Sequence, residues 1–98
     1  MILHNVVYAW APGTSDADVD RLERDLRQIA GTVDGLLTFE TARDGRYRDG
    51  SADFSIIATF RDEEALRSYF GHPEHHRMLD EYGRAMTARR EGVQAAID

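Results

Sequence analysis

The stretch Tyr69-Phe70-Gly71-His72-Pro73-Glu74-His75-His76 gathers three of the chain's four histidines and one of its four tyrosines into eight residues. Imidazole changes charge near neutral pH, and a phenol donates a hydrogen bond to a carbonyl oxygen as it becomes an enolate. A tyrosine and a histidine held together can therefore activate an acidic C–H bond without help. A plainer account also fits the residues. Pro73 suits the first turn of a helix, since its missing N–H is not needed there. It also disfavours helix at His72. The stretch then reads as a helix end, a turn and a helix start, with Glu74 in the first turn and His76 facing solvent.

The rest of the composition removes alternatives. The chain has no cysteine, so thiolate nucleophiles, disulfides and cysteine-ligated metals are excluded. All 12 basic residues are arginine, so no lysine can form a Schiff base. His72 and His76 are four apart, but His72 lies outside the helix. The pattern lacks the one-face spacing of a helical zinc site, and no metal is expected. Net charge is -6 and the arginines are scattered, which disfavours nucleic acid as a partner. No apolar run is long enough to span a membrane, and the N-terminus lacks the features of a signal peptide. A cytoplasmic protein is expected. The 98 residues, 42% apolar and 31% charged, are expected to form one domain over 1–98.

The elements that position the histidine segment follow from periodicity. Residues 2–10 are rich in β-branched and aromatic types and read as a strand. Ser15 caps a helix whose stripe is Val19, Leu22, Leu26 and Ile29, with Gly31 as its stop. Leu36–Arg43 and Phe54–Phe60 are strands joined by a glycine-containing hairpin loop. Asp62 caps a second helix that buries Ala65, Leu66, Tyr69 and Phe70. After His72-Pro73 a last helix carries Met78, Leu79, Tyr82 and Met86 at helical spacing. Val93–Ile97 is expected as a short final strand. The order β-α-β-β-α-α-β is that of the ferredoxin-like α+β arrangement, an antiparallel sheet with helices on one face.

Strand alternation divides the sheet faces. His4, Val6, Tyr8 and Trp10 share a face with Ile2, matched on the third strand by Phe54, Ile56, Ala58 and Phe60. This bulkier set is expected under the helices. The opposite face, with Leu3, Val7 and Ile57, is too apolar for open water. A homodimer joined sheet to sheet is expected. On the covered face His4 lies between Ile2 and Val6 and needs a partner or a ligand. Tyr69, His75 and His4 are thus expected to converge on one pocket walled by Val6, Tyr8, Phe39, Phe54 and Ile56. Met78 and Leu79 of the last helix complete it. That composition suits a small hydrophobic or aromatic molecule.

The opening Ile-Leu-His-Asn-Val-Val-Tyr-Ala-Trp, the Pro-Gly-Thr-Ser before the first helix, Ala58-Thr59-Phe60 and the Tyr69–His75 segment together resemble the stress-responsive A/B-barrel (Dabb) family. The resemblance spans nearly the whole chain. It implies a dimeric α+β barrel of ferredoxin-like subunits. It extends to plant polyketide cyclases of the olivetolic acid cyclase type, which close a polyketo thioester by aldol condensation. It implies His75 as general base, Tyr69 as donor to the enolate oxygen and His4 as a pocket histidine, with no cofactor. Where those cyclases place a further histidine this chain has Phe54, and where they place aromatics on the first helix it has Leu22 and Leu26. A cofactor-free cyclase or lyase is thus one expectation. A non-enzymatic stress or binding protein with structural histidines is another. A cofactor-independent oxygenase or haem-handling enzyme is a third, resting on fold analogy alone.

Overall fold

The computed structural model describes residues 1–98. Strands β1 (Ile2–Trp10), β2 (Leu36–Arg43), β3 (Phe54–Phe60) and β4 (Thr87–Ala96) form one antiparallel sheet in the order β2-β3-β1-β4. Helices α1 (Asp16–Ala30), α2 (Glu63–Phe70) and α3 (Pro73–Met78) accompany it. This is the ferredoxin-like α+β fold expected from the element order. The ends of β1, β2 and β3 fall where the sequence placed them.

Local chemistry fixes the helix starts. Ser15 accepts from the Asp18 N–H at 3.1 Å while Asp18 accepts from the Ser15 N–H at 2.9 Å, a reciprocal capping box. Asp62 accepts from the Ala65 N–H at 2.9 Å and starts α2. At α3 the cap is His72 itself, whose Nδ1 accepts from the Glu74 N–H at 3.1 Å. Its Nε2 therefore carries the proton and donates to Thr32 Oγ1 at 2.9 Å. The Thr32 hydroxyl in turn donates to the Ile29 carbonyl at 2.8 Å. One imidazole thus ties the α2–α3 junction to the end of α1.

The core lies between sheet and helices in two adjoining groups. Val6, Phe54 and Ile56 pack with Val19, Leu22, Leu26, Met78 and Met86. Ala58 and Phe60 pack with Ile29, Val33, Ala65, Leu66 and Tyr69. The face assignment from alternation holds along β1 and β3, where His4, Val6, Phe54, Ile56, Ala58 and Phe60 are all buried.

The C-terminal third departs from expectation. α3 runs into a π-helical turn at Leu79–Gly83, so Met86 lies beyond the helix although it still joins the core. The last strand begins at Thr87, not Val93, and pairs with β1 along its whole length, from Ile2 opposite Ala96 to Trp10 opposite Thr87. Thr-Ala-Arg-Arg-Glu-Gly carries no apolar alternation. The free edge of β1 recruits it through backbone hydrogen bonds, which are blind to side-chain type.

Phe60 is fully buried whereas Tyr47 is 96% exposed. Phe60→Ala should lower the unfolding free energy by about 3–5 kcal/mol in urea titrations. Tyr47→Ala should change it by no more than about 0.5 kcal/mol. Equal effects would show that the core is not where these contacts place it.

Candidate functional site

His4 enters from the middle of β1 and is 2% exposed. Its partner is Gln94, directly opposite on β4, whose amide N–H donates to Nδ1 at 2.9 Å. An amide nitrogen only donates, so the neutral ring keeps its proton on Nε2. Tyr69 comes from the inner side of α2 and is 1% exposed. The reversal at His72-Pro73 brings His75 back onto it, with ring centroids 5.1 Å apart. The His4 ring lies 5.9 Å from Tyr69 and meets Phe70 edge-on at 5.2 Å.

These three rings border one cavity of about 330 Å³. β1 contributes His4 and Tyr8, and α2 contributes Tyr69 and Phe70. Past the junction come His75, Leu79, Gly83 and Arg84, and β4 closes the far side with Thr87 and Arg90. Two buried polar atoms here have no partner in the protein: the Tyr69 hydroxyl and His75 Nδ1. Buried polar groups are nearly always hydrogen-bonded, so each of these atoms takes its partner from the cavity, whether water or a ligand.

The walls differ from expectation. Tyr8 and Leu79 line the cavity, but Val6, Leu22, Leu26, Phe54, Ile56 and Met78 do not. Those six interdigitate over the centre of the sheet and leave no room. Phe39 packs against both core groups, with its ring 6.2 Å from Tyr69. The cavity opens instead on the β4 side. There the strand presents Arg90, Gly92 and Gln94 to the covered face, opposite Tyr8, Val6 and His4. No large apolar side chain of β4 fills the space. A Cβ at Gly92 would sit 3.2 Å from the Gln94 amide nitrogen that holds His4, so that amide would have to shift by a few tenths of an ångström.

Gln94, Arg84, Thr87 and Arg90 are the residues that sequence reasoning passed over. The signal for them was the two-residue period of Arg90, Gly92 and Gln94, legible only once the strand is known to start at Thr87. His72 and His76 stay outside the cavity. His72 has both nitrogens engaged, and His76 is exposed. A smaller recess of about 160 Å³ beside His72 is bordered by groups already paired, such as Glu74 with Arg77. No three metal-ligating side chains cluster anywhere in the chain.

Burial sets the ionisation of the cavity. It lowers the His75 pKa to about 4, assisted by the fields of the neighbouring His76 and then Arg90. It lowers His4 to about 4 as well, with Arg90 adding to the effect. It raises Tyr69 above the ordinary phenol range. Tyr8 also rises by burial, held back by the Arg90 guanidinium beside it. At neutral pH the site thus holds two neutral imidazoles and two neutral phenols, with the guanidinium groups of Arg84 and Arg90 at its edge. A neutral imidazole accepts a proton and a neutral phenol donates a hydrogen bond, which is the equipment for enolate chemistry.

Fold and site together define a ferredoxin-like α+β domain with a polar-tipped cavity between the sheet and its second helix pair. The chain belongs to the stress-responsive A/B barrel (Dabb) domain family, whose model matches residues 2–94. A dimeric ferredoxin-like protein of unknown function from Thermobifida fusca YX superposes with a TM-score of 0.86 at 25% identity, covering 98% of this chain and 90% of its own. A Dabb family protein from Mesorhizobium loti gives 0.78 at 20% identity over 99% and 96%. A hydroxynitrile lyase from Passiflora edulis gives 0.83 at 14% identity over 99% and 93%. The last two likenesses speak for the fold alone. No functionally curated protein matches the chain. No helix is long and apolar enough to cross a membrane.

The histidine values make a prediction about acid. Both imidazoles have folded pKa values near 4 against an ordinary 6.5. Between those limits the unfolded chain binds more protons than the folded one, so stability falls as pH drops through that window. Histidine ring resonances followed by NMR should show His4 and His75 still neutral at about pH 5.5. Titration of either near 6.5 would contradict the burial described.

Proposed function

We propose that the cavity binds a small apolar or aromatic carbonyl compound and promotes proton transfer from an acidic C–H, without a cofactor. His75 is the general base and the Tyr69 hydroxyl holds the carbonyl oxygen as it gains charge. His4, its tautomer set by Gln94, orients the ligand from the sheet. The observation that carries this is the pair of unpartnered buried atoms, Tyr69 Oη and His75 Nδ1, on one cavity. The step balances simply. The C–H electron pair becomes the enolate π bond, the proton moves to His75, and the enolate then attacks a second carbonyl or is reprotonated. An aldol-type cyclisation or its reverse follows from that intermediate.

One observation favours a second possibility, binding without turnover. Tyr69 and His75 are not hydrogen-bonded to each other, so no assembled dyad exists before a ligand arrives. Deuterium uptake from solvent into benzoylacetone separates the two. Under the catalytic reading the protein accelerates exchange above the buffer rate. His75→Ala then loses roughly 10²- to 10⁴-fold of that acceleration, and Tyr69→Phe roughly 10²-fold. Ligand-induced thermal stabilisation with no acceleration would assign a binding role instead.

We also propose that the protein is a homodimer joined through the open face of the sheet. That face carries Val7, Ile57 and Val93, which are 37%, 42% and 61% exposed in the single chain. The Thermobifida fusca neighbour is itself dimeric. Light scattering should give twice the chain mass of 11.1 kDa, and Ile57→Asp should return it to that value. A wild-type monomer at micromolar concentration would overturn the dimer.

A further inference from the structure

We propose that Arg90 makes this a site for carboxylates, so that the ligand is a small apolar molecule carrying one carboxylate group. The inference rests on the cavity being the ligand site, as proposed above. Its basis is a charge imbalance. The chain carries a net charge of -6, yet no Asp or Glu borders the cavity, while two arginines do. Arg84 is already committed, since it pairs with Asp80 on the same turn. Arg90 makes no ion pair. It stands opposite Tyr8 in the β1–β4 ladder, which turns its side chain toward the covered face of the sheet. Arg90 itself is exposed on the edge strand and lies beside the Tyr8 phenol. Apart from Arg84, the titratable groups that share the cavity with it are the neutral phenols of Tyr8 and Tyr69 and the neutral imidazoles of His4 and His75.

A guanidinium at the edge of this cavity, with no acid of its own, matches a carboxylate in charge and in planar two-pronged geometry. The placement also orders the ligand. With the carboxylate at Arg90 on β4, the apolar body lies along Phe70 and Leu79. The far end then meets the unpartnered Tyr69 hydroxyl and His75 Nδ1. The pairing would also offset the field by which Arg90 disfavours a proton on His75, so that a bound acid strengthens the base beside it.

Benzoate and its neutral counterpart benzamide test this on the full chain, with binding followed by the ring resonances of His4 and His75. Wild-type protein should bind benzoate roughly tenfold or more tightly than benzamide, the strength of one charge-assisted hydrogen bond. Arg90→Gln should erase that preference by weakening benzoate to the level of benzamide. Arg89→Gln, one residue away on the other face of β4, should keep the preference. Equal affinity for the two probes in the wild type, or a preference that survives Arg90→Gln, would overturn the carboxylate assignment while leaving the cavity as a ligand site. If neither probe moves His4 or His75, the assignment falls together with the site itself.

Discussion

The chain reverses direction between Phe70 and Pro73, and a single imidazole holds the reversal. His72 uses one nitrogen to cap α3 and the other to reach Thr32 at the end of α1. Proline at the first helical position then sets the exit direction. This geometry brings His75 over Tyr69, six positions back in sequence. Met78, buried in the core, anchors the other end of α3. The histidine given no chemical role thus helps to hold in place the one proposed as the base.

The second constraint is an unequal filling of the sheet. Over β1 and β3 the covered face is packed tight by branched and aromatic side chains from both sides. Over β4 it is not, because Arg90, Gly92 and Gln94 offer nothing apolar to pack. The space left there is bounded by groups that burial keeps neutral, with arginine at its edge. Tyr69 Oη and His75 Nδ1 find no partner within the protein, so water or a ligand must supply one.

Much of this was legible in the sequence. The face to which His4, Phe54 and Ile56 belong follows from a period of two, and the capping residues Ser15 and Asp62 mark their helices unaided. The membership of the chain in its family agrees with the residues that first carried the resemblance. Two features were not legible. The final strand has almost no strand character of its own, since Thr87–Gly92 is held by pairing with β1 and not by side-chain preference. The location of the cavity depends on which side chains interdigitate, and that is a matter of three-dimensional volume. Phe54 and Leu26 are apolar in either case; only packing decides that they fill space and do not border it. Gln94 and Arg90 stayed hidden for the first of these reasons, and with them the partner of His4 and the charge at the cavity's edge.

The proposed function requires that Tyr69 and His75 meet a ligand in this one cavity. The most direct measurement is a ¹⁵N spectrum of the histidine rings with and without saturating benzoylacetone. His75 should shift as its orphaned Nδ1 gains a partner, and Tyr69→Phe should weaken that shift. His72, engaged on both nitrogens, and His76, exposed outside the cavity, should stay in place. An unchanged His75 in the presence of a ligand that demonstrably binds, or a response confined to His76, would contradict the account.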